Sequence, residues 1–254
     1  MIHPKSNAEI ERLRRAGALV GDVLAELRQM ARPGVRLRAL NRHAEKMIRD
    51  RGGVPAFRGY QGFPATLCLS VNEEALHGLP RWRKLESGDL LSIDCGVLLD
   101  GMYGDSAITV AVGEASQERL RLVETTQKAL HAGIASCQIG AHLGDVGAAI
   151  EAVLNEAGVG LVRSYCGHGI GAALHEDPQV PNWGPAGEGP IIEAGWCLAL
   201  EPVVTLGGGH VVTRSDGWTI ATADGSASAH CELMVACEPA GPRILSLTSA
   251  GELP

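Results

Sequence analysis

The chain has 254 residues, 45% of them hydrophobic, and a formal net charge of −7. This length can bury a full core, and the acidic balance argues against a broad nucleic-acid surface, although it is compatible with a small local basic patch. The seven cysteines form an odd set without a C-x-x-C pair, so we expect neither disulfides nor a zinc finger. Neither a signal-peptide core nor a run of about eighteen apolar residues is present, so we expect a cytoplasmic protein without a membrane partner.

Helical spacing of apolar residues predicts two helices at the start of the chain. The first covers residues 7–30 and is capped by Ser6 or Asn7. The second runs from about 37 to 51 and is ended by Gly52.

Strands are predicted where β-branched and apolar residues cluster. Two such runs in residues 89–113 flank the turn pair Asp100 and Gly101, a combination typical of a β-hairpin. Two further strands are predicted at 196–208, which leads into a Gly-rich turn, and at 228–239.

The second part of the chain echoes the first. The letters ERLR at 11–14 recur at 118–121, in a helix predicted from near Gln117 to Gly140, and the apolar positions of the second helix each recur 106 positions later. Amphipathic helices also resemble each other by chance, but the match at every step favours two halves of similar helix-helix-strand build. We therefore expect a single domain over 1–254, with halves at about 1–113 and 114–254.

Four carboxylates, Asp94, Asp105, Glu201 and Glu232, lie among apolar or small residues, where acidic side chains are uncommon without a partner. Folding about the hairpin turn brings Asp94 and Asp105 to opposite or diagonal positions, within about 5 to 8 Å of each other. Two buried carboxylates so close are destabilising unless one is protonated or a cation lies between them.

A single Asp near a turn is more commonly a capping residue, and a lone Glu in a strand can simply face solvent. Four carboxylates together with His168, which lies in a Gly-rich turn, favour a metal site. Their charge nearly cancels that of two divalent ions. Oxygen ligands with one imidazole and no thiolate favour manganese, iron, cobalt or zinc in an open catalytic site.

Residues 165–178, YCGHGIGAALHEDP, also fit the G-x-G-x-x-A fingerprint of a dinucleotide-binding loop. Such a loop needs a strand before it and a helix directly after it. A strand is plausible in 159–165, but Pro178, Pro181 and Pro185 argue against the helix. We therefore interpret the glycines as allowing a tight backbone path beside a site.

Taken in order, the four carboxylates and His168 lie in motifs that resemble the type I methionine aminopeptidases of the pita-bread fold, over nearly the whole chain. The five ligands are shared with prolidase, aminopeptidase P and creatinase relatives. Two features narrow the resemblance to the methionine aminopeptidases. They are the letters H-G-L-P that follow S-V-N-E, and a start without the long N-terminal domain of those relatives. The matching stretches are SVNEEALHGLP (70–80), IDCGVLLDGMYGDSA (93–107), CGHGIGAALHEDPQV (166–180), LEPVV (200–204) and DGWTIATADGSASAHCE (216–232).

The resemblance implies an α+β fold, with a pseudo-two-fold symmetric antiparallel sheet covered by two pairs of helices. It implies removal of the initiator methionine from nascent chains with a small second residue, by attack of a hydroxide bound to two divalent ions (cobalt, manganese, iron or zinc). The expected partners are nascent polypeptide N-termini, met at the ribosome, and the expected state is a monomer that binds no specific nucleic acid and has no N-terminal extension.

The resemblance also implies residue roles. Asp94, Asp105 and Glu232 would hold one metal, with Asp105 and Glu232 bridging to a second metal that His168 and Glu201 complete. Glu201 would be the proton shuttle as well. The remaining implied roles are carried by His175 and His77, which would steady the substrate amide or the tetrahedral intermediate, and by Tyr60, Phe63, Cys68 and Trp218, which would line the methionine pocket.

Two positions depart from the family pattern. Leu174 stands where an aromatic residue is common, which bears on the shape of the pocket. Leu233 follows the last glutamate, where the family has a histidine that supports the metal ligands. His230 lies two residues before Glu232, on the same face of a strand, and we hypothesise that it compensates.

Two alternatives stay open on the sequence alone. One is another enzyme of the same fold, such as an X-Pro peptidase. The other is a non-catalytic relative that binds a partner and has lost its metals, against which the presence of ligands at all five positions argues.

Overall fold

The computed structural model describes residues 2–254. Helix α1 begins as expected after Ser6, whose hydroxyl accepts from the Glu9 amide, while the Glu9 carboxylate accepts from the Ser6 amide at 2.8 Å. This reciprocal pair satisfies two of the amides that a helix start leaves free. The α-helices of residues 2–254 are α1 (Asn7–Met30), α2 (Leu37–Asp50), α3 (Gln117–Ser136) and α4 (Leu143–Ala157).

The strands are short apart from one long hairpin, and every strand pair is antiparallel. A 3-10 turn at Tyr60–Gly62 interrupts them. In chain order the strands are β1 (Val54–Pro55), β2 (Leu67–Val71), β3 (Glu74–Leu76), β4 (Leu90–Leu99), β5 (Met102–Ala111), β6 (Gly160–Leu161), β7 (Gly167–Gly169), β8 (Glu176–Val180), β9 (Cys197–Leu200), β10 (Val203–Thr205), β11 (Val211–Thr213), β12 (Ile220–Thr222), β13 (Ser228–His230), β14 (Leu233–Glu238) and β15 (Gly241–Ile244).

Each pair of helices covers its own part of the strand layer. Buried leucines and valines of α1 and α2 pack against β2, β4 and β5, whereas α3 and α4 pack against β9, β13 and β14. A third core cluster joins the start of α1 to β14. The expected α+β architecture, with antiparallel strands beneath two pairs of helices, is confirmed. Across residues 2–254, no helix combines the length and the hydropathy needed to cross a membrane.

The predicted hairpin is confirmed, since β4 and β5 turn at Asp100 (φ 50°) and Gly101 (φ 74°). Two positive φ angles in succession define the type I′ turn that favours an Asp-Gly pair. The predicted start of α2 is confirmed as well. Helix α3, however, ends at Ser136 rather than at Gly140, which instead lies in the turn leading into α4 with φ 89°.

Two predictions of continuous strands are wrong in the same way. The segment 196–208 is divided at Glu201 and Pro202 into β9 and β10, which belong to different sheets. Proline cannot donate to a strand ladder, so pairing stops there. The segment 228–239 is divided into β13 and β14 at Cys231 and Glu232. Both interruptions therefore place a glutamate where the chain leaves one sheet for another.

Candidate metal centre and adjoining pocket

Asp94 and Asp105 are positioned by the regular ladder of the hairpin. Asp94 lies opposite Ala107, and Asp105 lies opposite Gly96, so the two carboxylates are diagonal neighbours on adjacent strands. The expectation of opposite or diagonal positions is confirmed. Because alternate residues of a strand share a face, both side chains point to the same side of the sheet.

Glu232 reaches the same face from the far end of the sequence. Its amide donates to the Ala107 carbonyl at 2.9 Å, and the Ala107 amide donates to the Glu232 carbonyl at 3.2 Å. Ala107 is thus paired with Asp94 on one side and with Glu232 on the other. Since Asp105 is two residues from Ala107, the three acidic side chains meet on one face.

His168 and Glu201 come from β7 and from the end of β9. His168 pairs with Ala199, two residues before Glu201, and its Nε2 lies 3.6 Å from Glu201 Oε1. The Nδ1 of His168 donates to the Gly169 carbonyl at 3.0 Å, so Nε2 has a free lone pair directed towards Glu201. Metal-binding histidines are commonly held in this way by a backbone carbonyl.

The glycines around His168 have a steric role. A Cβ at Gly167 would collide with the carbonyl oxygen of Ala199, and one at Gly169 would collide with that of Asp177. After the glycines the chain turns into β8 rather than into a helix, which rules out the dinucleotide-loop interpretation. The glycines therefore permit close strand packing beside the site.

The four carboxylates cannot all be ionised without a compensating charge. Burial raises the pKa of Asp94 to about 7. Burial, followed by repulsion from the other carboxylates, raises the pKa values of Asp105, Glu201 and Glu232 well above their usual range. Asp105 and Glu232 are buried, while Asp94 and Glu201 keep part of their surface towards the cavity.

The donor set fits divalent metal ions. Within residues 2–254, Asp94 Oδ1, Asp105 Oδ1 and Glu232 Oε1 are buried without a hydrogen-bond partner, as expected of oxygens that complete their coordination with a cation. Ligand atoms lie within 4.8 Å of one another in three groups. The groups are Asp94 with Asp105 and Glu232, His168 with Glu201 and Glu232, and Asp105 with His168 and His175.

His175 and His77 both line the cavity beside this cluster. The Nδ1 of His175 is 2.7 Å from the Tyr60 hydroxyl, and its ring meets that of His168 at 4.4 Å. His77, which has a φ of 53°, packs edge-on against Tyr165. Burial lowers the pKa values of both His77 and His175, so both imidazoles are neutral at pH 7.

All predicted site residues line one cavity of about 150 Å³. One end carries the carboxylates and histidines, and the other is apolar, with Phe63 packed edge-on against Trp218 at 5.2 Å. Leu174 is buried in this apolar wall. The residues of the lining are Phe57, Tyr60, Gln61, Phe63, Cys68, Leu76, His77, Asp94, Asp105, His168, Leu174, His175, Glu201, Trp218 and Glu232.

Sequence reasoning missed Phe57, Gln61 and Leu76 as lining residues. Leu76 precedes His77 at the end of a strand, which was the available signal for it. Gln61 has a φ of 48°, a backbone conformation that the sequence does not reveal in a residue other than glycine, asparagine or aspartate.

The environment of Leu233 and His230 bears on the departure from the family pattern. Leu233 is buried in the core beneath α3 and α4. His230 is buried as well, with its Nε2 4.0 Å from Glu201 Oε2 and, within residues 2–254, without a hydrogen-bond partner. His230 thus faces the same carboxylate as His168.

Comparison with known proteins agrees with this geometry. The profile of metallopeptidase family M24 matches residues 11–239. A methionine aminopeptidase of Clostridium acetobutylicum is 45% identical over 248 residues, covering 97% of this chain and 99% of the relative. Methionine aminopeptidase 1 of Mycobacterium tuberculosis is 44% identical, with 97% and 96% covered. The crystal structure of the Rickettsia prowazekii methionine aminopeptidase superimposes with a TM-score of 0.96 at 33% identity, covering 97% of this chain and all of that one.

The chain therefore belongs to metallopeptidase family M24 and, within it, to the methionine aminopeptidases. The expected pita-bread fold is confirmed by the structural match. Membership in this family also implies the use of divalent metal.

Proposed function

We propose that this chain removes an N-terminal methionine from polypeptides whose second residue is small, with two divalent ions held by the acidic cluster. The observation that carries the proposal is the convergence of carboxylates and histidines at one end of a cavity whose other end is apolar. A cavity of about 150 Å³ accommodates one side chain and the adjoining peptide bond, as an exopeptidase requires. The similar proteins carry the corresponding names.

The three groups of donor atoms support an assignment of the metal ligands. Asp94, Asp105 and Glu232 would hold one ion, and His168 and Glu201 would complete the second. Asp105 and Glu232 would be shared between the two ions, and each contributes donor atoms to two of the groups, as His168 also does. Oxygen-rich donors with one imidazole suit cobalt, manganese, iron or zinc. Bound divalent ions supply Lewis acidity and a nucleophilic water near neutral pH.

Glu201 moves the proton in this scheme. Its carboxylate takes a proton from the attacking water and passes it to the departing amine, as a general base and then a general acid. Its two oxygens lie near the Nε2 atoms of His168, at 3.6 Å, and His230, at 4.0 Å.

His77 and His175 act on the reacting carbonyl. Both are neutral at pH 7, because burial lowers their pKa values, so each has one N–H to donate to developing negative charge. The Tyr60 hydroxyl at 2.7 Å fixes the ring of His175 through Nδ1. The Nε2 of His175 is therefore the nitrogen that donates to the substrate.

The apolar end of the cavity selects the methionine side chain. Phe63 and Trp218 offer ring edges and faces, and a thioether contacts aromatic rings favourably, with a gain of about 0.3–1.5 kcal/mol. Tyr60 and Cys68 close the sides. Leu174, buried in the same wall, leaves an aliphatic contact where the family commonly has an aromatic one.

The experiment that tests this function is a peptide assay with chelator-stripped protein resupplied with manganese or cobalt. We expect release of methionine from Met-Ala peptides. Preference for Ala-Pro over Met-Ala and Met-Pro peptides would instead identify an X-Pro peptidase. Absence of bound metal together with absence of rescue would identify a non-catalytic binding protein.

The cellular setting is part of the same proposal. The substrates are N-termini of nascent polypeptides, met at the ribosome in the cytoplasm by a monomeric enzyme. Sedimentation velocity of the purified chain would show one species of monomer mass, and co-sedimentation with translating ribosomes would test the association. A stable dimer, or no enrichment on ribosomes, would contradict the respective part.

We also propose that the two halves, 1–113 and 114–254, form one folding unit. The backbone bonds between Ala107 and Glu232 and the cluster that joins α1 to β14 support this. One unfolding transition, with the same midpoint by fluorescence and circular dichroism, is expected for the metal-free chain. Two separated transitions would contradict it.

A further inference from the structure

A second and much larger depression lies outside the candidate metal centre. It has a volume of about 1350 Å³ and runs between the start of α2 and the segment 79–83. Its charged residues are almost all of one sign, in a chain whose net charge is −7. They are Arg36, Arg38, Arg42, Arg58, Arg81 and Arg83, against Glu45 alone.

Three of these arginines form ion pairs with carboxylates, and three do not. Arg58 pairs with Glu45 at 2.5 Å, Arg83 with Asp89 at 3.2 Å, and Arg81 with Asp216. Within residues 2–254, no carboxylate lies within ion-pair distance of the three others, which are exposed. The uncompensated cations are Arg36, Arg38 and Arg42.

An aromatic side chain stands among these cations. Trp82 is 67% exposed, and the guanidinium of Arg38 lies over its ring at 4.3 Å, with that of Arg36 at 5.7 Å. The two segments are tied together by backbone bonds, since the Leu37 amide donates to Arg83 at 3.1 Å and the Leu85 amide donates to Val35 at 2.8 Å. Trp82 is therefore presented by a fixed support.

The start of α2 adds to the positive potential. Its N-cap residue, Arg36, makes no side-chain capping bond, and no acidic residue lies in the first turn. The start of a helix carries partial positive charge from its free amides, which acidic residues commonly offset. In the described part of the chain no acidic residue offsets this charge in the first turn of α2, and the basic residues Arg36 and Arg38 lie there instead.

We propose that this groove, the arginine groove, binds single-stranded RNA without sequence preference. Clustered arginines neutralise phosphates along a strand, and an exposed aromatic ring stacks a base, which together are the two elements of sequence-tolerant single-strand recognition. A guanidinium already stacked on Trp82 extends the platform for a base. The net charge of the chain is negative despite this basic groove, because the acidic residues other than Glu45 lie outside it.

RNA fits these observations better than an acidic polypeptide does. Carboxylates would need only the cations, and they would leave the exposed ring of Trp82 without a partner. A nucleotide uses both, because its phosphate and its base are separate groups. The proposal does not rest on the aminopeptidase activity, which belongs to residues of the other cavity.

The test is fluorescence anisotropy with a fluorescein-labelled 12-nucleotide oligouridylate at low salt. We expect wild-type binding, and Trp82→Ala should weaken it about tenfold by removing the stacking surface. Trp183 provides a matched control, because it is also exposed, at 37%, and carries Arg163 over its ring at 4.9 Å. Trp183→Ala should bind as the wild type does.

The charge contribution is tested by the salt dependence of the same binding. Arg38→Gln combined with Arg42→Gln should reduce the slope of log K against log salt by about 1.4, or about 0.7 for each lost phosphate contact. Arg121→Gln combined with Lys128→Gln removes the same charge from exposed positions of α3 and should leave the slope unchanged.

Three results would overturn the proposal. They are no binding of the oligouridylate by the wild type, equal losses in the groove variants and their controls, or displacement by polyglutamate at lower concentration than by unlabelled RNA, which would assign the groove to acidic peptides. Methionine release from Met-Ala-Ser should stay within twofold of wild type in every variant, so that failure of RNA binding and failure of the proposed activity are distinguished.

Discussion

The two halves of the molecule contribute to the candidate metal centre in different ways. In the first half, Asp94 and Asp105 lie within the unbroken ladder of β4 and β5. In the second half, Glu201 and Glu232 lie where strands are interrupted, and the pairing register of β7 shifts directly after His168. One half uses regular alternation to aim its carboxylates, and the other uses irregular backbone, which commonly re-aims side chains next to active sites.

The difference suggests a division of labour. A regular hairpin keeps two like charges close together at a fixed spacing, whatever occupies the cavity. Glu201 lies outside any strand ladder and Glu232 keeps only its bridge to Ala107, so the positions of their side chains should depend more on bound ions. We therefore expect the largest losses of activity from the second half and clearer effects on metal-free stability from the first.

The largest effect is expected at Glu201. Glu201→Gln keeps the shape of the side chain but cannot accept the proton, so turnover of Met-Ala-Ser should fall by about 10³-fold or more in metal-supplemented assays. Glu193→Gln, at an exposed position four residues before β9 begins at Cys197, serves as the control and should be unaffected. Activity within tenfold of wild type would show that Glu201 is not the base.

Replacement of His168 and of His175, whose rings lie 4.4 Å apart, should have different effects on metal content and turnover. His168→Ala removes one of the proposed metal ligands, so the metal content of the purified protein should fall. His175→Ala should keep the metal and slow turnover about 10²-fold, because it removes a donor to the developing charge. Metal analysis beside kcat separates the two. His175 lies in one donor group with His168, and equal loss of metal in both variants would make it a ligand as well.

A smaller effect is expected at His230, which tests how the break before β14 is supported. His230→Ala removes the imidazole 4.0 Å from Glu201 Oε2, and metal affinity should fall about tenfold. His230→Gln, which retains a polar group of similar size, should recover part of it. His131→Ala, at an exposed position of α3, is the control. Unchanged affinity in His230→Ala would leave the replacement of the family histidine by Leu233 without compensation.

The smallest effect is expected on the stability of the hairpin half. Asp105→Asn removes one of the crowded buried carboxylates, so in excess chelator the variant should melt a few degrees above the wild type, equivalent to about 1 kcal/mol. With saturating manganese the order should reverse, since the wild type gains more from the bound ion. Differential scanning calorimetry in both conditions measures this. The same order in both would contradict a shared role of Asp105 in metal binding.

The sequence predicted the regular parts of this structure well. The Asp-Gly pair identified the hairpin turn, and strand alternation then placed Asp94 and Asp105 as diagonal neighbours. The approach of Glu232 to these two residues, across about half the chain, was implied by the resemblance to a family, because no local pattern encodes a contact at that separation.

The irregular parts were not predictable in the same way. Pro202 signalled that pairing would stop, yet the segment around it was interpreted as one strand because its apolar run continues through the break. No residue type marks the interruption at Cys231 and Glu232. The arginine groove escaped detection for a related reason, since net charge averages over positions that only the fold separates.

The most direct measurement is a titration of chelator-stripped protein with manganese, followed by calorimetry and by methionine release from Met-Ala-Ser. We expect no activity without metal, binding of two ions per chain, and recovery of turnover as they bind, with Asp105→Asn impaired in both signals. Full turnover in the stripped protein, or metal binding by Asp105→Asn equal to that of the wild type, would contradict a catalytic centre built from these carboxylates.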